Sequence, residues 1–144
     1  MRTHVVTYAT HSEGNYDNLI NNKYNINIIT LGWNTKWEGF DYKFKLLYDY
    51  IKNLPDDDII ISLDGFDVWI NGALGNAISR FKKMNVNVLF SKDVYLFNNY
   101  KILSKLGHEL STKVFNICRN DEVANTGLYM GYVKYIKILL LESF

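Results

Sequence analysis

The order of apolar and polar positions divides the chain into alternating strands and helices. His4 to Ala9 (HVVTYA) is a short β-branched run that predicts a strand ending in the polar stretch 10–14. Asn15 to Asn22 predicts a brief helix around Leu19 and Ile20, and Asn27 to Leu31 a second strand before the Gly/Trp-rich loop Gly32 to Phe40. In Asp41 to Asn53, Phe44, Leu47, Tyr48 and Ile51 recur at helical spacing on one face. Lys43, Lys45, Asp49 and Lys52 are assigned to the remaining surface, so Lys43 is expected to be solvated. Pro55 closes this helix, and the acidic turn Asp56 to Asp58 leads into Ile59 to Leu63. That strand is apolar except for Ser62, the pattern of a central strand covered on both faces. Leu74 to Met84 repeats the amphipathic pattern through Ile78, Phe81 and Met84. Asn87 to Ser91 and Gly127 to Tyr132 predict further strands, and Val133 to Leu141 a closing helix. Residues 98–122 give no clear period and are expected to be a mixed helix and loop insertion.

Strands joined through helices predict parallel pairing in a layered α/β fold. Ligands of such sheets bind beyond the carboxyl ends of the strands. Thr10, Asp64, Ser91 and Asp93 all follow or end predicted strands, so one edge is the place to look for chemistry.

Size and composition narrow the classes. The 144 residues fit one domain, 1–144, with a real core; no repeat, low-complexity tract or linker divides them. A net charge of +1 leaves no electrostatic footprint for nucleic acid or an anionic membrane. The single cysteine, Cys118, excludes an internal disulfide framework and reads as a small buried hydrophobe. No signal peptide or membrane-spanning run is visible, so a soluble chain is expected, with its compartment left open.

The chemistry concentrates in IIISLDGFDVWIN, Ile59 to Asn71. Asp64 and Asp67 are hard oxygen donors at the end of a buried strand, suited to Mg²⁺ or Mn²⁺ ions that keep positions open for phosphate oxygens. Gly65 would let the backbone turn between strand and site. A pair of this kind taken alone reads more often as a turn cap beside a solvated acid. An aspartyl phosphatase needs acids two apart, and these are three apart.

The order of motifs adds to the pair. The chain runs VTYATHSEG, TLGWNTKWEG, DIIISLDGFDVWI, NVLFSKD and ANTGLYMGY. This series resembles, over nearly the whole chain, the N-terminal glycosyltransferase domain of the procollagen lysyl hydroxylases, and more loosely the collagen galactosyltransferases. The resemblance implies a GT-A-type, Rossmann-like nucleotide-sugar-binding domain with a mostly parallel central sheet and flanking helices. It implies transfer of glucose or galactose from a UDP-sugar donor, with Mn²⁺, to hydroxylysine or galactosyl-hydroxylysine of a collagen-like polypeptide, retaining for the glucosyl reaction.

Matched motif by motif, the resemblance makes Asp64 and Asp67 the metal ligands. Phe66 stands where the family has a tyrosine that contacts the nucleotide. Thr10 matches a threonine beside the uridine, Trp37 a donor-site tryptophan and Lys43 a lysine near the nucleotide. Phe97 falls at a gate-like tryptophan, and Asn125 and Gly127 match an element lining the sugar pocket. An aromatic ring can pack on uracil or on a sugar face, and an amide offers both donor and acceptor to sugar hydroxyls. Packing and capping remain the ordinary alternatives for Trp37, Phe66 and Asn125. His11 is placed near the ligand edge but reads as an exposed loop residue; His4 and His108 read as structural.

The family's third metal ligand, a histidine, and its acidic cluster lie beyond ANTGLYMGY. The catalytic residues are therefore expected downstream of Phe144, and the chain is read as C-terminally truncated. The iron- and 2-oxoglutarate-dependent portion is absent, so no lysyl hydroxylation is expected. The alternatives are a non-catalytic UDP-sugar-binding or assembly module and an inactive truncated product. In the latter, the apolar segment KILLLESF is covered by a partner chain, a homo-oligomer among the options.

Overall fold

The computed structural model describes residues 1–92 and 124–142. They fall into two units, residues 1–89 with 127–142, and residues 90–92 with 124–126. The first unit holds the site.

Its sheet is built from β1 (Thr3–Tyr8), β2 (Ile28–Leu31), β3 (Ile59–Asp64), β4 (Val88–Lys92) and β5 (Ala124–Tyr132), in the order β2-β1-β3-β5-β4. β1 pairs in parallel with both β2 and β3. β5 runs antiparallel to β3, from Ile59 opposite Tyr132 to Leu63 opposite Leu128. The sheet is mostly parallel, as expected, with β5 as the antiparallel neighbour of β3. The crossover rule constrains strands joined by a helix, and β3 and β5 are not consecutive in the chain. Mixed sheets of this kind remain mostly parallel in their core, as here.

The helices are α1 (Tyr16–Ile20), α2 (Phe40–Ile51), α3 (Leu74–Met84) and α4 (Val133–Glu142). Because side chains alternate across a strand, the two faces of β1 and β3 receive different sets. Val5, Ile59, Ile61 and Leu63 pack with Leu19 of α1, Phe81 of α3 and Met130 in one buried cluster. Val6, Tyr8, Ile60 and Ser62 are the alternate positions, also buried. On that side α2 and α4 touch each other and bury Lys43, Leu47 and Ile51, and Val133, Ile136 and Leu140. Ile59 to Leu63 is thus covered on both faces, as its unbroken apolar run predicts. Each fully buried large side chain contributes about 1.5–3 kcal/mol over its exposed state.

The amino edge of the sheet is tied by Asp58, a buried acid. It accepts hydrogen bonds from the Arg2 backbone N–H at 2.6 Å and from His4 Nε2 at 2.9 Å. His4 Nδ1 meets the Tyr50 hydroxyl at 3.0 Å, which fits the structural role expected of this histidine. The His4 contact, and after it the Arg2 N–H, hold the Asp58 carboxyl below its usual range. No helix among the described residues is long and apolar enough to cross a membrane. In the second unit, the Ser91 hydroxyl donates to the Asn125 carbonyl at 3.4 Å. The expected insertion at 98–122, with Phe97, His108 and Cys118, lies outside the described residues, as does Asp93.

Candidate functional site

The parallel registers set three strand ends level, with Tyr8 opposite both Leu31 and Asp64. The segments leaving β1, β2 and β3 therefore emerge at one edge, where the sequence places Thr10, Gly32 and Gly65 to Asp67. β5 enters there from the opposite direction, because Gly127 immediately precedes Leu128, the partner of Leu63. Thr10, Asp64, Phe66, Asp67 and Gly127 are thus gathered by backbone topology alone.

Two glycines allow the β1 and β3 ends to close on each other. A Cβ on Gly65 would lie 2.4 Å from the Tyr8 carbonyl oxygen, too close for any side chain. Its φ is outside the left-handed region, so the demand is for space and not for the sharp turn expected from the sequence. Gly14 has φ +56°, and a Cβ there would sit 2.4 Å from the Phe66 carbonyl oxygen. That same carbonyl accepts the Asn15 N–H at 2.7 Å, and the Asn15 side chain donates to the Val68 carbonyl at 2.6 Å. Gly14 and Asn15 thereby hold the Asp64–Asp67 loop in place, a role the sequence reading missed. A glycine followed by asparagine at the end of a polar loop is the signal that was available.

Lys43 departs most from expectation. It is buried on the sheet side of α2, and its Nζ lies 2.5 Å from Asp64 Oδ1. The Lys43 side chain is 7% exposed and that of Asp64 45%. The ammonium also sits 4.9 Å from the centre of the Tyr8 ring. The solvated position expected for Lys43 is overturned, for a periodic reason. Lys43, Leu47 and Ile51 are spaced by four, so they share a helix face, and that face is the buried one. Burial of the lysine is tolerated because a carboxylate and an aromatic face replace its water.

Beneath the pair lies a hydroxyl network. The Tyr8 hydroxyl meets Ser62 Oγ at 2.9 Å, and the Tyr129 hydroxyl hydrogen-bonds to both. Burial pushes the Tyr8 phenol well above its usual value and raises that of Tyr129. Both stay neutral donors at any physiological pH. The one polar residue of the β3 core, Ser62, is thus satisfied from the strands on either side.

Thr10 stands in the loop after β1. Its carbonyl accepts the Asn34 N–H at 3.0 Å, and its hydroxyl meets His11 Nδ1 at 2.9 Å. His11 Nε2 contacts Glu13 at 3.1 Å, and its ring lies 5.8 Å from that of Phe66. His11 is exposed, as expected, and leans on Phe66, itself at the solvent boundary. Trp37 is partly exposed, and its ring meets Tyr42 edge-on at 5.9 Å, one residue before Lys43. Trp33, unnoticed in the sequence, stacks on Tyr16 at 5.0 Å with 17° between the planes. Asn125 belongs to the second unit, and Phe97 lies outside the described residues.

Two carboxylates on the loop that leaves β3 are the groups that could hold a divalent ion. Asp64 is half exposed and Asp67 exposed, and both offer hard oxygens. Among the described residues no group of three or more His, Cys, Asp or Glu side chains could hold a metal.

Comparison with known proteins places the chain in a family. The family model described as the PLOD GT domain matches residues 1–143. The chain is similar to procollagen-lysine,2-oxoglutarate 5-dioxygenase of Drosophila melanogaster, 29% identical over 150 aligned positions that cover 96% of this chain and 20% of that protein. It is similar also to procollagen-lysine,2-oxoglutarate 5-dioxygenase 2 of Homo sapiens, 26% identical over 96% of this chain and 19% of that protein. For the Mus musculus counterpart the identity is 24% with the same coverage. The chain spans about a fifth of the length of these curated relatives.

Proposed function

The chain belongs to the PLOD GT domain family, and on that premise we propose that it is a metal-dependent UDP-sugar glycosyltransferase domain. In this reading it transfers a hexose, glucose or galactose, to hydroxylysine or galactosyl-hydroxylysine of a collagen-like polypeptide. The observation that carries the proposal is the place of Asp64, which ends β3 at the carboxyl edge of the parallel strands, level with Tyr8 and within reach of a buried lysine. That edge is where α/β sheets receive nucleotides.

Asp64 and Asp67 would hold Mn²⁺ or Mg²⁺, which as a Lewis acid supplies neutralisation of the negative charge on the departing diphosphate. The protein's own groups do the rest. Phe66 and Trp37 offer ring faces to the uracil or the sugar, and the Thr10 hydroxyl offers a donor beside the base. Lys43 supplies a fixed positive charge for the diphosphate. Gly127 keeps the β5 side of the edge free of a side chain; for Asn125 and Phe97 the only support for a role in sugar binding is the match of their motifs to the family. Catalysis then rests on positioning the acceptor hydroxyl and on charge stabilisation at the leaving group.

The test is calorimetric binding of UDP with and without Mn²⁺, followed by transfer from UDP-glucose and UDP-galactose to a hydroxylysine peptide. Binding that requires Mn²⁺ is expected, and D64A and D67A should each abolish it. Unchanged affinity in both variants sinks the site. The second reading is a UDP-sugar-binding module without turnover. Manganese-dependent binding with no transfer from either sugar supports it.

A further inference from the structure

The turn after β2 presents Trp33 at the candidate edge and holds it from three sides. Gly32 has φ +83° and Asn34 φ +60°, left-handed values that fold residues 32–35 tightly and suit these two residue types. The Thr35 N–H closes the turn on the Gly32 carbonyl at 3.1 Å, and the Thr35 hydroxyl donates to the same oxygen at 2.6 Å. From α2, the Tyr42 hydroxyl donates to Thr35 Oγ1 at 2.9 Å. From the loop after β1, the Thr10 carbonyl accepts the Asn34 N–H at 3.0 Å. From α1, the buried Tyr16 ring stacks on the indole, with its own hydroxyl 2.7 Å from Thr30 Oγ1. Trp33 is nevertheless 42% exposed, and because the two rings stack, the open area of the indole lies away from Tyr16.

The place of this ring along the edge suits the length of a nucleotide. The sheet order β2-β1-β3 puts the turn that carries Trp33 two strands from Asp64, with Thr10 between them. Neighbouring strands lie about 4.8 Å apart, so the two ends of this row are about 10 Å apart. That separation corresponds to a ribose standing between a diphosphate and its base. We propose that Trp33 is the stacking platform for the pyrimidine base of the nucleotide, which continues the Tyr16–Trp33 stack by one ring. The inference rests on the diphosphate sitting at Asp64 and Asp67, as proposed above. It deepens that reading by dividing the aromatic side chains: Phe66, between the two acids in sequence, belongs to the diphosphate end of the row, and Trp33 to the base end. A ring held by a pinned turn has little freedom left to lose on binding, so its stacking energy is retained. An indole face recognises planarity rather than a hydrogen-bonding edge.

The experiment measures by calorimetry, at saturating Mn²⁺, the affinity of the 144-residue chain for UDP and for 5,6-dihydro-UDP. Saturating the base keeps its N3–H and both carbonyls but removes its planarity and π-face, so the two ligands separate stacking from hydrogen bonding. The wild type is expected to bind UDP about 5- to 150-fold more tightly than Trp33→Ala does, the range of base–aromatic stacking. It should also prefer UDP to the dihydro compound, and Trp33→Ala should lose that preference. A variant whose turn has merely collapsed would weaken both ligands alike and keep their ratio, which overturns the proposal. A wild type that binds the two ligands equally overturns it as well. Trp33→Leu still covers Tyr16 but has no π-face, so it serves if the alanine variant fails to fold, and it too should show no preference. If the wild type binds no UDP with Mn²⁺, the nucleotide-site reading fails and the platform falls with it. UDP binding that is indifferent to Trp33 removes the platform alone.

Discussion

Breaking the Lys43–Asp64 pair from its two ends should cost different amounts, because the two side chains differ in their access to water. Asp64→Ala leaves the Lys43 ammonium, 7% exposed, without its carboxylate. Removing one partner of a fully buried pair costs about 3–5 kcal/mol. Two features reduce that figure here. The Tyr8 ring 4.9 Å away keeps its attraction for the cation, and water can follow through the opening that Asp64 leaves. A loss of about 2 kcal/mol is the resulting expectation. Lys43→Met instead leaves a carboxylate that is 45% exposed and readily hydrated, while the methionine stem packs against α2's neighbours. Its cost should be about 1 kcal/mol or less, that of a surface pair. The double variant should resemble Lys43→Met alone, giving a coupling equal to the Asp64→Ala cost, about 2 kcal/mol and within the range for residues in contact. Urea denaturation at neutral pH in the presence of a chelator reads these values from the midpoints at constant slope. Equal costs for the two single variants, or an additive double, would refute the claim that Lys43 is the desolvated partner.

Gly65→Ala should destabilise the fold by about 1–3 kcal/mol, because its Cβ would meet the Tyr8 carbonyl at 2.4 Å. It should also weaken manganese-dependent UDP binding by shifting the Asp64–Asp67 loop; a variant with wild-type stability and affinity would show that the close approach is relaxed in solution. Asp58 predicts an acid limit. Its carboxyl is held below the ordinary value of 3.8, first by His4 and then by the Arg2 N–H. A depressed folded value means that this stabilisation is fully present above about 3.8 and is lost as pH falls through the lower folded value. Denaturation between pH 5 and pH 2 should therefore show a shallower acid loss for Asp58→Asn than for the wild type, and identical slopes would remove Asp58 as the cause. At the alkaline end Tyr8 and Tyr129 have raised values, so their contribution holds below pH 10 and is lost above it. Tyr8→Phe should blunt the stability loss between pH 10 and pH 12.

The sequence by itself determined which segments are strands and helices. The helix Leu74–Met84 has the same ends in the pattern and in the structure, and the strand beginning at Ile59 gains only Asp64. Side-chain periodicity and backbone preference are local, so a single chain displays them without its neighbours. It also determined that Thr10 and Asp64 share an edge, since parallel strands bring their carboxyl ends to one side. What it could not determine was how the elements turn toward one another. The antiparallel placement of β5 on β3 joins residues about 70 apart in the chain, and no local pattern encodes strand order. Lys43 was assigned to the solvated surface because charge usually marks that side of a helix. Only the packing of α2 over Tyr8 and Asp64 put its ammonium inside, where a carboxylate 21 residues away replaces the lost water. The glycines tell the same story: Gly65 reads as a turn residue, and only the approach of the Tyr8 carbonyl shows that its hydrogen is there for space. Tertiary structure decided these points because each depends on the distance between groups remote in sequence, and it is those distances that set charge, space and chemistry at the site.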